Sequence, residues 1–165
     1  MSGRATDLQA DLASHHIEGI AIHGNTPFRA DLISHITGNL WTGGCINGVR
    51  LPDDFKAVVS LYPWEKYTLG PDTVRVEHRL YDSTEVPDVE QMFQVARQVR
   101  DFYAAGKTLV HCQAGLNRSG LIAGLALVYD GCDPQWVVNL LREKRSPAVL
   151  CNRAFERWLL AQRLA

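Results

Sequence analysis

The sequence predicts an α/β domain built round a central sheet, and three observations carry that expectation. Short apolar segments of strand length alternate with helical ones through the later part of the chain. Several helices mark their starts with capping residues. One strand, residues 107–110, runs through a tight polar loop straight into the apolar stretch 121–128, a strand–loop–helix unit.

The elements follow in order. Residues 1 to about 13 are polar and expected to be loose. Residues 17–22 and 39–42, bounded by glycines, are expected as edge strands. Residues 55–61 form an apolar strand, and residues 74–80 alternate with the period of two that marks a strand. Asp88 caps a helix, with Gln91 three residues on as its capping partner. That helix has an apolar face of Val89, Met92, Phe93, Ala96, Val99 and Phe102 or Tyr103, and Gly106 stops it. Asp133-Pro134 is an N-cap followed by a first-turn proline. It opens a helix expected to bury Trp136, Val137, Leu140 and Leu141. The helix ends in Arg142-Glu143-Lys144-Arg145, before Ser146-Pro147. Asn152 caps a last helix through Phe155, Trp158 and Leu159.

Composition narrows the function. The 165 residues suit one domain. A net charge of −1 gives no global attraction for long polyanions, so affinity for phosphate has to be local. Cys45, Cys112, Cys132 and Cys151 lack the paired spacing of a zinc site. The longest apolar run, near residues 121–129, is about half of the roughly 20 residues a membrane-spanning helix needs. The chain opens without a basic-then-apolar leader, so no secretory signal is expected. Together these readings lead to an expectation of a cytoplasmic protein with reduced thiols and no membrane partner.

The chemistry is concentrated in His111-Cys112-Gln113-Ala114-Gly115-Leu116-Asn117-Arg118-Ser119-Gly120. Cys112 stands at the end of a strand and Arg118 at the start of a helix. The loop between them, Gln113 to Asn117, is long enough to curl round one tetrahedral anion. Helix starts present unpaired N–H groups and a positive dipole end, which hold anions. The same surroundings lower a thiol's pKa. Gly115 lets backbone N–H groups point inward. Arg118 offers a planar fork for phosphoryl oxygens. Ser119 can donate its hydroxyl to the sulfur, and His111 orients the loop from behind. The plainer alternatives are a structural thiol at Cys112, a solvated Arg118 and a simple helix-start Ser119.

The segment from Val110 to Ser119 resembles the phosphate-binding loop of the cysteine-dependent protein tyrosine phosphatases, and within them the dual-specificity branch. Leu40-Trp41-Thr42-Gly43-Gly44 resembles that branch's early strand and turn, and residues 55–61 the strand after it. The tail from Arg142 to Leu159, with Asn152 and Phe155, resembles its closing segment. The likeness covers roughly residues 38 to 160. It implies a central mixed sheet flanked by helices and a two-step phosphoryl transfer through a phosphocysteine, with no metal and no cofactor.

The resemblance also implies a general acid on a loop about thirty residues before the cysteine. Asp82 stands 30 positions before Cys112. Asp88 is the rival but already caps a helix, and Glu85 is third. The implied substrate is a phosphorylated protein, through phosphotyrosine and with phosphoserine or phosphothreonine as the further option, or a small phosphate ester. No lysine lies between Cys112 and Arg118, which counts against phosphoinositides. Asn117 before Arg118 is also met in RNA 5′-triphosphatases of the same superfamily, the runner-up enzyme. The reading from a different class is a non-catalytic phosphate-binding module.

Overall fold

The computed structural model describes residues 4–11, 16–23, 26–28, 31–45 and 47–163. A small antiparallel sheet holds β1 (Arg4–Asp11), β2 (His16–His23) and β3 (Thr26–Phe28), with β2 in the middle. The main sheet has five strands: β4 (Ile33–Thr37), β5 (Leu40–Gly43), β6 (Ala57–Ser60), β7 (Val74–Glu77) and β8 (Thr108–His111). Their order is β4-β5-β8-β6-β7. Only the β4–β5 pair is antiparallel, so the sheet is mixed.

Four helices flank this sheet: α1 (Val89–Ala105), α2 (Arg118–Tyr129), α3 (Pro134–Lys144) and α4 (Arg153–Leu160). Strand alternation decides where they sit. Val59 and Val110 share one core with Met92 and Val99 of α1, Leu121 and Leu125 of α2, Val137 of α3 and Phe155 of α4. Their neighbours Val58 and Leu109 face the other way, into a second core closed by Leu32, Val49, Leu51 and Phe55. α2 is buried from Arg118 to Val128, as a helix apolar on every side must be. β8 runs through the centre with all four residues buried. Its register sets His111 against Gly43 of β5 and Ser60 of β6. The carboxyl ends of three parallel strands therefore converge where the Cys112 loop begins, the usual place for a ligand in such sheets.

Several expectations are corrected. Residues 4–11, expected to be loose, form β1. The strands foreseen at 17–22 and 39–42 are not edges: β2 lies between β1 and β3, and β5 between β4 and β8. β4 was not foreseen; its residues mix Ser34, His35 and Thr37 with two isoleucines, a weak strand pattern. β7 stops at Glu77 because β6, its one partner among the described residues, ends at Ser60. Beyond it His78 N still donates to Ser60 O at 2.8 Å and Leu80 N to Leu61 O at 3.5 Å, outside the regular ladder. Trp136 and Val89 are exposed, not buried. In α3 the neighbours Val137 and Val138 face the core instead, with Leu141. The caps at Asp88, Asp133 and Asn152 form as the sequence reading expects, each accepting from a first-turn N–H.

Candidate active site

The loop after β8 owes its shape to its carbonyls. Gln113 O accepts from Cys45 N at 3.1 Å, and Leu116 O from Leu150 N at 3.1 Å. Ala114 O and Gly115 O both accept from Arg145, at 3.1 and 2.7 Å. Four consecutive carbonyls are thus held from outside, which turns the loop's amide edge inward. Gly115 N–H points at Cys112 Sγ from 3.3 Å. Gly115 has φ +75°, and a Cβ there would strike the Gly43 carbonyl carbon and the Arg145 guanidinium. Only glycine meets both demands.

Cys112 is buried. Burial pushes its thiol up, but the Arg118 guanidinium, the Ser119 hydroxyl and N–H, and the Gly115 N–H outweigh it. The thiol lies below its ordinary value. Ser119 Oγ is 3.4 Å from the sulfur. Arg118 is 3% exposed, and its Nη1 donates to Leu80 O at 3.3 Å. Its Nε is buried and meets no acceptor among the described residues. A buried guanidinium donor left unpaired is costly unless it is meant for a ligand. The arrangement therefore joins a thiol prepared for ionisation to a buried guanidinium with a donor to spare.

His111 lies beneath this loop, fully buried. Its Nδ1 is 3.2 Å from Cys112 O, and its Nε2 meets the Tyr67 hydroxyl. Burial, with Arg75 and Arg118 nearby, holds its imidazole down at about 4, although the Cys112 carbonyl favours the charged form. A neutral ring accounts for both contacts: Nδ1–H donates to Cys112 O, and Nε2 accepts from Tyr67, whose hydroxyl burial keeps protonated. His111 thus bridges Tyr67 and the Cys112 carbonyl beneath the loop.

Asp82 comes to the rim of the same loop. Its Oδ2 accepts from Asn117 Nδ2 at 3.0 Å and its Oδ1 from Asn152 Nδ2 at 2.7 Å. Asn152 Nδ2 also donates to Ser83 O, and Asn117 Oδ1 accepts from Asn152 N. Asn117 precedes α2 but makes no capping bond with its side chain, which is engaged by this network instead. Glu85 is exposed, and Asp88 is occupied as the cap of α1. Every residue expected at the site from 111 to 119 is here, and Asp82 joins it through Asn117.

Sequence reasoning missed three contributors. Arg145, read as part of a basic helix end, pins Ala114 and Gly115 and reaches back to Asp31 O and Ser34 Oγ of the β4 region. Tyr67 anchors His111 from a loop with no motif. Asn152 was expected as a helix cap and as part of the closing segment that carries the resemblance, but not as the residue that holds Asp82. All three act across long sequence separations, where a single sequence carries no signal.

Residues 74–158, just over half of the chain, match the family described as protein-tyrosine phosphatase. The chain belongs to the protein-tyrosine phosphatase family. A relative from Arabidopsis thaliana, named phosphatidylinositol 3,4,5-trisphosphate 3-phosphatase and protein-tyrosine-phosphatase PTEN1, is 29% identical over 112 residues, 65% of this chain. The chain spans about a quarter of that relative's length, 26%. Among solved structures, a mutant form of Tk-PTP is 25% identical with a TM-score of 0.58, covering 78% of this chain and 93% of its own. The fold is also that of a mouse putative dual specificity phosphatase, at 13% identity and TM-score 0.62, covering 78% and 86%. OH1 from the Orf virus shares it at 22% identity and TM-score 0.60, covering 78% and 84%. Among the described residues, no helix is long and apolar enough to cross a membrane.

Proposed function

We propose that this phosphatase hydrolyses phosphate monoesters, phosphotyrosine on proteins first among them, through a phosphocysteine on Cys112. The observation that carries the reading is the pairing of a thiol held below its ordinary value with a buried, unpartnered Arg118 Nε. Arg118 and the inward amides bind the equatorial oxygens of the phosphoryl group and stabilise their charge in the transition state. The Cys112 thiolate attacks phosphorus in line, forming the S–P bond as the ester P–O bond breaks. The leaving oxygen takes a proton from Asp82. Water then attacks phosphorus, giving its proton to Asp82, while the Ser119 hydroxyl stabilises the departing thiolate.

The Arabidopsis relative's name covers both an inositol lipid and phosphotyrosine. The loop here has no lysine between Cys112 and Arg118 to meet further phosphates, which favours the protein substrate. Asn117, the residue behind the RNA triphosphatase alternative, has its side chain engaged with Asp82 and Asn152. Cys112→Ser is expected to abolish turnover of a phosphotyrosine peptide while the protein still binds the peptide, since a serine hydroxyl is not ionised at neutral pH. Arg118→Lys is expected to be severely impaired although its charge is kept. Turnover near wild type in Cys112→Ser would remove the phosphocysteine, and binding without turnover in the wild type would favour the non-catalytic module.

A further inference from the structure

The face of the main sheet turned away from α1 and α2 carries a polar row of its own. In register across the strands stand Gly43 of β5, His111 of β8, Ser60 of β6 and Glu77 of β7. Arg75 occupies the row below, in line with Val58 and Leu109. In-register residues of parallel strands point to one face, and the alternation in Val74-Arg75-Val76-Glu77 puts both charged residues of β7 on it. The second core lies on this face, and Tyr67 packs against it from the loop between β6 and β7.

Tyr67 is engaged by an imidazole and by a cation. Its hydroxyl meets His111 Nε2, and the two rings lie edge to face with centroids 5.1 Å apart. The Arg75 guanidinium carbon lies over the Tyr67 ring, 4.6 Å from its centroid. Arg75 Nε is 2.9 Å from Glu77 Oε1, an ion pair without an aligned hydrogen bond, and the ring face is the second partner of the cation. Contacts thus run unbroken from the edge strand to the candidate nucleophile: Glu77, Arg75, Tyr67, His111 and the Cys112 carbonyl.

Resting on the phosphatase reading above, we infer that Arg75 is a positioning residue for the reaction: acting through the Tyr67 ring, it selects the tautomer of His111 that donates from Nδ1 to the Cys112 carbonyl. A positive charge beside the phenol strengthens its O–H as a donor, so Tyr67 donates to Nε2 and the one ring proton stays on Nδ1. The same charge opposes a second proton on the ring. In the other tautomer the Nδ1 lone pair would face the carbonyl oxygen and displace the Cys112–Gln113 peptide, where the anion loop begins. The titratable and charged groups round His111 are Tyr67, Arg75 and Glu77 of β7, Arg118 of α2, Cys112 and, after β5, Cys45. Burial keeps Tyr67 and Cys45 uncharged, so the ring feels the two guanidiniums, with Glu77 offsetting one of them in part. A bound phosphoryl group would offset Arg118 and leave Arg75 as the cation that keeps His111 neutral.

The test reads the tautomer directly, from long-range proton–nitrogen NMR spectra of protein labelled in its histidine nitrogens, with the His111 signals assigned by their loss in His111→Asn. The wild type is expected to show the Nδ1–H form at neutral pH and to keep it with orthovanadate bound. Arg75→Met keeps a stem that covers the apolar face and removes the charge. Its His111 is expected to titrate above the wild-type value of about 4 and to show the second tautomer. Arg75→Lys restores the charge and should return His111 towards the wild-type pattern. In Arg75→Met, kcat/KM for a phosphotyrosine peptide should fall by about 2- to 5-fold on the acid side of the pH profile, the range a cation–π contact gives, and by less on the basic side. Against a Tyr67→Phe background, which has no hydroxyl to donate, Arg75→Met should shift the tautomer no further.

A wild-type His111 with its proton on Nε2 overturns the inference. So does a tautomer and titration point left unmoved by Arg75→Met, whatever that variant does to turnover, since Arg75 would then be a packing residue only. Should Arg75→Met fail to fold, Arg75→Gln, which keeps a planar polar head without the charge, decides on the same spectra. The two readings fail separately, because the spectra do not depend on turnover. An unmoved spectrum with inactive Cys112→Ser sinks the role of Arg75 alone, whereas active Cys112→Ser sinks the phosphocysteine beneath it.

Discussion

Replacing Asp82 by asparagine separates the proposed proton donation from everything else the residue does. In the folded protein both carboxylate oxygens accept an amide N–H, from Asn117 at 3.0 Å and from Asn152 at 2.7 Å. An asparagine offers one acceptor oxygen and one NH2. It keeps one of these bonds and sets two donors face to face at the other, a cost of about 1 kcal/mol of stability for a partly buried pair. The catalytic loss is larger. General acid catalysis is worth about 10²-fold or more, and each factor of ten is about 1.4 kcal/mol of barrier. The assay compares a phosphotyrosine peptide, whose phenol leaves poorly unprotonated, with an aryl phosphate bearing an electron-withdrawing group. Asp82→Asn should slow the first by about 10²-fold or more and the second far less, and the basic limb of the pH–rate profile should flatten. Asp88→Asn should show no such contrast, because asparagine still caps α1. Equal slowing of both esters by Asp82→Asn would refute the assignment. The contrast appearing in Asp88→Asn instead would move it six residues along the loop.

Three further outcomes follow from the geometry. Arg145→Lys should lose the simultaneous grip on Ala114 O and Gly115 O, since a lysine is a single point donor; kcat/KM and orthovanadate affinity should both fall about tenfold or more, and unchanged values would show the loop holds its shape unaided. His111 is held at about 4 in the folded protein against 6.5 ordinarily, so the unfolded chain binds the extra proton between those values. Stability should therefore fall as pH drops from about 6.5 to about 4, by as much as roughly 3 kcal/mol from this one group; urea unfolding of His111→Asn should lack that part of the slope, and identical slopes would contradict it. Ser119→Ala removes a hydroxyl that stabilises the thiolate, so the midpoint of Cys112 alkylation by iodoacetamide should move to higher pH, with no movement ruling out the contact at 3.4 Å.

Much of this molecule is legible in the sequence where the signal is local. The run from Thr108 to Val128 carries strand, loop and helix in one stretch, each with its own period, and the structure follows it closely. The three side-chain caps are short-range chemistry and form as expected. Sheet order was not legible, because glycine-bounded segments such as β5 look alike at an edge and in the interior. β7 was read too long since alternation persists to Leu80, whereas pairing depends on where β6 ends. Trp136 misled for a related reason: a large apolar residue at helical spacing reads as core, yet α3 turns its neighbours Val137 and Val138 inward. At the candidate site, the residues expected to meet an anion lie within one loop, where a local motif makes them legible. Those that shape the loop, Arg145 and Tyr67, arrive from 30 and 44 residues away through backbone and ring contacts.

Asn152 has a consequence for how the far end of the chain behaves. Its carbonyl accepts from Ala154 N and Phe155 N to start α4, while its amide grips Asp82 and Ser83. One planar group thus fixes the first turn of a helix and the carboxylate at the rim of the candidate site. Whatever a proton on Asp82 costs in that grip is repaid or charged, by reciprocity, to the closure of the α4 turn. Amide exchange at Ala154 and Phe155 would then report the protonation of a residue some seventy positions upstream, through a single side chain and without any movement of the sheet between them.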